Sequence, residues 1–448
     1  MSITKDLNVF QAATMAIFLV IGAIGIVLFA TSKAGIGNNQ YKGVVWGVLP
    51  KTTIDAALDV YSAQGIDPNF TYVEYPEAGF GQAILRAVAE GRGPDAIIFP
   101  DTMYYDQLGK LVTIPTQTIS AREFADTYID AGNMFTVVGG IKAIPLLTDP
   151  MVMYYNKTML TSAGLLYPPK TWSELAGMTN KITRKQDDGV INRAFVALGE
   201  YANILYAKEI LYTLLSQAGI QLSYYDPGIG YYISGIAKAP NGGSAFAGAT
   251  DATTVTESVL TYYTDFANPL KPTYTWNRAI APSRDAFLAQ NLAVYFGPAS
   301  EVEYIRSRNP NLNFAIAPMP QENPNRKVVQ GKTYALGFLI TSQNVATVYP
   351  EVTKYFTENS MIQALADSLR IAPAKRALVD SAAGARDSVD LSIIYESAKY
   401  ARNWIDPNPF GSNLVLETLI EAITSGKQTA GEAIQDASDR IDSLYLGQ

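Results

Sequence analysis

The chain has 448 residues, 48% of them hydrophobic and 17% charged, enough for two or three compact units with sizeable cores. It contains no cysteine and no histidine, which excludes disulfides, thiolate zinc sites, a cysteine nucleophile and every histidine-dependent triad or metal site. A formal net charge of −7 leaves no excess of Lys and Arg to displace counterions from a phosphate backbone and argues against nucleic acid as a partner.

The first element is the apolar run 12–30, AATMAIFLVIGAIGIVLFA, which has no charge and a single hydroxyl at Thr14. As a helix it covers about 28 Å, close to the hydrocarbon thickness of a bilayer. It exceeds the roughly 7–15 residues of a signal-peptide core, so it reads as an uncleaved anchor, with a cleaved signal peptide as the alternative. Lipid anchoring needs a cysteine and is excluded. Lys5 is offset by Asp6 before the run while Lys33 and Lys42 follow it, so the flanking charges leave orientation open. The expected plan is a cytoplasmic N-terminus at 1–11, a single membrane pass, a small-residue tether at 31–41 containing Gly35 and Gly37, and a large body outside the cytoplasm. Residues 1–40 hold two lysines and one aspartate, so that body carries a formal charge of −8.

Within the body, 43–49 (GVVWGVL) reads as a strand, and 51–63 as a helix on the spacing of Ile54, Ala57, Leu58 and Tyr61. A strand at 71–75, a helix at 80–90 and a buried strand at 96–99 follow. This alternation predicts an α/β body with a mostly parallel sheet, whose ligands sit beyond the carboxyl ends of the strands. Lys51 after the first strand, and Asp101 and Tyr105 after the third, are therefore candidate binding residues. Further on, 152–155 reads as a short strand, and Thr171 with Glu174 forms a Thr-x-x-Glu capping box opening a helix at 172–182. Strands are expected at 312–320 and 335–341, helical segments at 351–369 and 414–444, and the clearest turn at 240–244.

The run around Tyr155-Asn156-Lys157 and Pro169-Lys170-Thr171-Trp172 resembles the extracellular solute-binding proteins that feed ABC importers, in the carbohydrate-type branch that includes maltose-binding protein. Similar segments are Gly93-Pro94-Asp95, Gly109-Lys110-Leu111, Gly297-Pro298, Ala317-Pro318-Met319-Pro320, Ile371-Ala372-Pro373-Ala374 and Ser425-Gly426-Lys427, so nearly all of 42–448 is covered. The resemblance implies a two-lobe periplasmic-binding-protein-like fold that traps its ligand by hinge closure. Lobe I is expected over 42–148 and 335–371, and lobe II over 149–334 and 372–448, with crossings near 147–150, 332–335 and 370–374. It also implies a small-molecule solute, of carbohydrate type, as ligand, ABC permease subunits as partners, a monomeric body, no cofactor and no covalent chemistry.

By the same resemblance, Asp149 falls where a cleft carboxylate accepts sugar hydroxyls, Lys51 at a ligand-reaching position, and Glu200, Tyr201 and Asn203 on a loop of aromatic and polar contacts. Tyr334 sits at a crossing. The plainer readings are a turn residue for Asp149, a solvated lysine for Lys51 and an N-cap for Asp101. Trp46, Trp172, Trp276 and Trp404 read more simply as core, and Glu301 and Glu303 as a solvated helix face beside Arg306 and Arg308. Where maltose-type members carry a stacking tryptophan after Gly-Pro, this chain has Ala299, and the positions near Pro100 and Asn413 lack a clear aromatic. Two other classes are open: a scaffold or adhesion protein with a vestigial site, and a glycosidase using two of Asp149, Glu200, Glu301 and Glu303. Gly331-Lys332-Thr333 is no phosphate loop, because position 326, where the first glycine belongs, is Arg.

Overall fold

The computed structural model describes residues 41–447 apart from 64, 188, 228–229, 238–251 and 383–387. The apolar run 12–30 and the turn expected at 240–244 lie outside the described residues. Among those described, no helix is long and apolar enough to cross a membrane.

The β/α alternation at the start of the body forms as its periodicity dictates. Strand Gly43–Gly47 pairs in parallel with Phe70–Glu74 on one side and Ala96–Pro100 on the other, with helices Lys51–Ser62 and Phe80–Ala89 between them in sequence. Phe80 and Ile84 turn the second helix inward. The sheet does not stay parallel. Strand Val329–Phe338 lies antiparallel to Ala96–Pro100 and also to Ile144–Asn156, which in turn pairs antiparallel with Leu292–Pro298 and Phe314–Pro318. Parallel pairing resumes between Leu292–Pro298 and Ile191–Val196. The expected parallel sheet is thus two flanks joined through antiparallel strands, because the chain re-enters the first sheet from residues more than 200 positions later.

The strand expected at 152–155 is the end of a 13-residue strand, Ile144–Asn156. Pro145 and Pro150 hide its length, since neither can donate a ladder hydrogen bond. Pro145 sits where the register with Val329–Phe338 shifts between Tyr334 and Ala335, and Pro150 stands opposite Gly331. Leu146 and Leu147 of this strand join one core, with Val45, Phe70, Leu336 and Ile362. Met151 to Tyr154 join a second, larger core with Phe195, Leu211, Trp276 and Val294. One strand therefore feeds two cores, which is the structural meaning of two lobes. Between them Thr148 and Thr333 face each other, fully buried, 3.1 Å apart.

The resemblance motifs have local reasons. Asn156 is 1% exposed and caps the helix Lys157–Ser162, its side-chain Oδ1 accepting from the Met159 amide at 3.0 Å. Thr171 caps Trp172–Ile182 by accepting from the Glu174 amide, but Glu174 accepts from the Lys170 amide at 2.7 Å, one residue before the partner expected of a capping box. A complete capping box occurs instead at Thr429 and Glu432, opening Ala430–Leu446. Trp172 is core, as expected, with its indole N–H donating to Gln217 at 2.8 Å. Trp276 is fully buried, and Trp46 is half-buried against Tyr75.

Candidate functional site

The carboxyl ends of the first three strands and the loop between Val196 and the helix Ala207–Gln217 face each other across the crossing strands. The floor is built by Val329–Phe338 and Ile144–Asn156, which place Lys332 opposite Asp149 in register. Asp101, Asp149 and Tyr334, three of the expected residues, gather electrostatically around Lys332, whose ammonium is bonded to Glu77 at 2.7 Å. Asp101 is 5% exposed and begins a short 3-10 turn without capping it, so the N-cap reading fails. Its Oδ1 has no hydrogen-bond partner. Burial pushes its carboxyl up to about 7, with the Lys332 ammonium opposing. Burial likewise raises Asp149 to about 6, offset in part by its bond from the Ser300 amide at 3.0 Å.

The loop after Val196 is strained. Gly199 has φ 98°, and a Cβ there would lie 2.5 Å from the Ala267 amide nitrogen. That turn delivers Glu200, which pairs with Arg278 at 2.8 Å, and Tyr201, whose hydroxyl donates to Asn413 at 2.8 Å. Asn203 is occupied within its own lobe: its amide donates to the Asn277 and Ile280 carbonyls and accepts from the Trp276 indole. At the end of the loop Tyr206 adopts φ 121°, outside the range non-glycine residues ordinarily use. Its hydroxyl donates to Glu301 at 2.9 Å.

Glu301 corrects an expectation. It is 7% exposed rather than solvated, and accepts from Tyr206, Tyr295 and Arg284 at 2.6–2.9 Å. Glu303 does face solvent, paired with Arg306. Two other expected binding residues have partners away from this group. Lys51 is exposed and bridges to Asp55 at 2.6 Å. Tyr105 donates to the Tyr445 carbonyl at 2.8 Å and packs edge-on against Tyr232 and Tyr445. Ala299 is fully buried.

Residues that sequence reasoning did not name complete the site. Lys208 and Glu209, in the first turn of Ala207–Gln217, line both a 330 Å³ cavity shared with Tyr201, Tyr206, Asn413 and Glu417, and a small 30 Å³ chamber. That chamber lies between Asp101 and Thr102 of the first sheet's rim and Tyr212, Trp404 and Asp406. Beyond it, Tyr212, Asn403 and Trp404 also line a 610 Å³ cavity that extends to Asp130 and Arg402. The three spaces follow one another along a single helix. Lys208 bonds Asp406 at 2.6 Å and the Ser412 hydroxyl at 3.0 Å. The signal for these residues was weak: a charged pair just past the predicted loop, and an aspartate inside the proline-rich stretch 404–409. Among the described residues, no group of three or more acidic side chains is arranged to hold a metal ion.

A family model described as bacterial extracellular solute-binding protein matches residues 56–388. A probable ABC transporter-binding protein of Deinococcus radiodurans is 49% identical over 47 residues, a match that spans 10% of this chain and only 11% of that relative. Three solved structures are similar along their whole length. A cyclo/maltodextrin-binding protein complexed with maltotetraose superposes with a TM-score of 0.68 at 14% identity, over 92% of this chain and 98% of the other. A cyclic α-maltosyl-1,6-maltose binding protein from Arthrobacter globiformis gives 0.68 at 15%, over 91% and 99%. An ABC transporter solute-binding protein from Thermotoga lettingae, bound with α-D-tagatose, gives 0.62 at 17%, over 90% and 99%. At such identities the likeness establishes the fold.

Proposed function

Because this chain belongs to the bacterial extracellular solute-binding proteins, we propose that it is a receptor that closes two lobes on a small polyhydroxylated solute, a sugar or oligosaccharide, and delivers it to an ABC import permease. The observation that carries the reading is the chamber lined jointly by Asp101 from one sheet's rim and by Lys208, Trp404 and Asp406 from across the crossing strands. A site made by both lobes exists only when they are together, so ligand and closure are coupled. Asp101, Asp149, Tyr201, Tyr206 and Tyr334 are the side chains proposed to meet the solute, the carboxylates accepting hydroxyls and the tyrosines offering ring faces. Lys51, Tyr105, Glu200 and Asn203 act around the site rather than on the ligand. The lobes we propose are 42–148 with 335–371, and 149–334 with 372–448.

The apolar run 12–30 supports an uncleaved membrane anchor that holds the body outside the cytoplasm. The intact mass of the protein from membranes checks this: retention of the N-terminal residues is expected, and a chain starting after residue 30 overturns it. The solute reading is tested by thermal unfolding of the full-length protein against neutral mono- and oligosaccharides, polyols and sugar phosphates. A ligand at 1,000 times its dissociation constant stabilises by about 4 kcal/mol. A shift confined to one saccharide class is expected, and no shift with any compound favours the scaffold alternative.

A further inference from the structure

Around the small chamber the charges do not balance. Asp101, Glu209 and Asp406 line it with Lys208 as the sole cation among its lining residues, and Glu417 adds a fourth carboxyl in the adjoining 330 Å³ cavity. Lys208 is committed to Asp406, and Lys332, which acts on Asp101 from the floor, is bonded to Glu77. Asp101 lines the chamber and is 95% buried, and its Oδ1 has no hydrogen-bond partner. Glu209 is partly buried, and its carboxyl is raised by desolvation, with the Lys208 ammonium opposing. A buried acceptor without a donor costs free energy that a ligand donor would recover.

Size and surface narrow the donor. A space of 30 Å³ has room for a group of the size of a primary ammonium. Trp404 and Tyr212 supply aromatic walls, and the Lys208 ammonium already stands 6.0 Å from the centre of the Trp404 ring, within the range in which a ring face attracts a cation. The adjoining cavity, sharing Lys208 and Glu209, falls in the size range of small-ligand pockets.

We infer that the solute is a polyhydroxylated primary amine of amino-sugar type, its ammonium seated in the chamber between Asp101 and Glu209 and its hydroxylated body in the cavity beside Tyr201 and Tyr206. This rests on the receptor reading and narrows it. No covalent step is involved.

The test is calorimetric titration of the full-length protein, in a detergent without sugar groups, with glucosamine and its β-1,4-linked dimer. N-acetylglucosamine, glucose and maltotetraose serve as neutral comparators. The amines are expected to bind at least tenfold more tightly than their N-acetylated or neutral counterparts. Asp101→Asn and Glu209→Gln should each weaken amine binding at least tenfold more than they weaken binding of any neutral saccharide. Thermal unfolding of each variant verifies that it is folded. Neutral saccharides binding as well as or better than the amines overturns the inference and leaves the receptor reading standing. Equal loss of both ligand kinds in the variants also overturns it, since the carboxyls would then serve hydroxyls. Binding of none of the five overturns the inference, while the receptor reading falls only if the wider panel also produces no thermal shift.

Discussion

Asp101 holds a buried carboxyl whose Oδ1 has no hydrogen-bond partner in the protein, and its protonation is therefore tied to folding. Its folded pKa of about 7 lies above the ordinary value of 3.8, so the folded chain binds the proton more tightly than the unfolded chain. Stability that depends on the protonated form is present below pH 4 and lost as pH rises to about 7, at most roughly 4 kcal/mol. Asp149, raised to about 6, acts in the same direction. Asp101→Asn should flatten this slope, and urea unfolding at pH 5 and pH 8 should show the variant gaining more on the parent at the higher pH. Glu301 is the opposite case, a buried carboxylate with three donors. Glu301→Ala should cost about 3 kcal/mol by orphaning them, and an unchanged denaturation midpoint would refute the role given to this network. The sequence misled at Glu301 because Arg306 and Arg308 are near in the chain, whereas its partners Tyr206, Tyr295 and Arg284 assemble only in space. The partner of Tyr105 was hidden for a similar reason: its acceptor, the Tyr445 carbonyl, is 340 residues away.

Helices and strands were legible where local chemistry sets them. The Lys51–Ser62 and Phe80–Ala89 helices follow from apolar spacing, and the Trp172–Ile182 helix begins where the Thr171 hydroxyl can cap it. The long strand was not legible, because Pro145 and Pro150 punctuate it and its continuity depends on a partner nearly 190 residues later. Of the candidate site, the rim position of Asp101 and the carboxylate at Asp149 were readable. The helix-start pair Lys208 and Glu209 was not, since a charged first turn looks like any solvated helix end. The caps give a prediction of their own. Asn156→Ala removes a buried cap and should lower unfolding free energy by about 1–2 kcal/mol, Thr429→Ala by about 1 kcal/mol at its more exposed position. Gly199→Ala combines a left-handed φ with a 2.5 Å clash against backbone and should cost more than either. Equilibrium urea titrations of the three variants rank them.

Side chains as well as strands join the two lobes. Tyr105 bonds the Tyr445 carbonyl and Arg402 pairs with Asp130 at 2.5 Å, contacts that join the first sheet's surroundings to the C-terminal part of the chain. Tyr105→Ala should leave each core intact yet favour separation of the lobes, seen as a larger radius of gyration in solution scattering and a weaker affinity for whichever solute produces the thermal shift. An unchanged radius and affinity would remove Tyr105 from any part in closure.

Strand Val329–Phe338 lies between Ala96–Pro100 and Ile144–Asn156, so the middle of a sheet begun near residue 43 is supplied only after residue 329. During synthesis the body up to residue 156 therefore emerges with the edges of Ala96–Pro100 and Ile144–Asn156 facing a gap, and no fragment that ends before residue 329 can fill it. A nascent chain stalled at residue 320 should stay sensitive to protease throughout its N-terminal part, while one stalled well past 380 gains protection there all at once. Export across a membrane suits this order of events, because the chain is delivered whole before its central strand has to find its place.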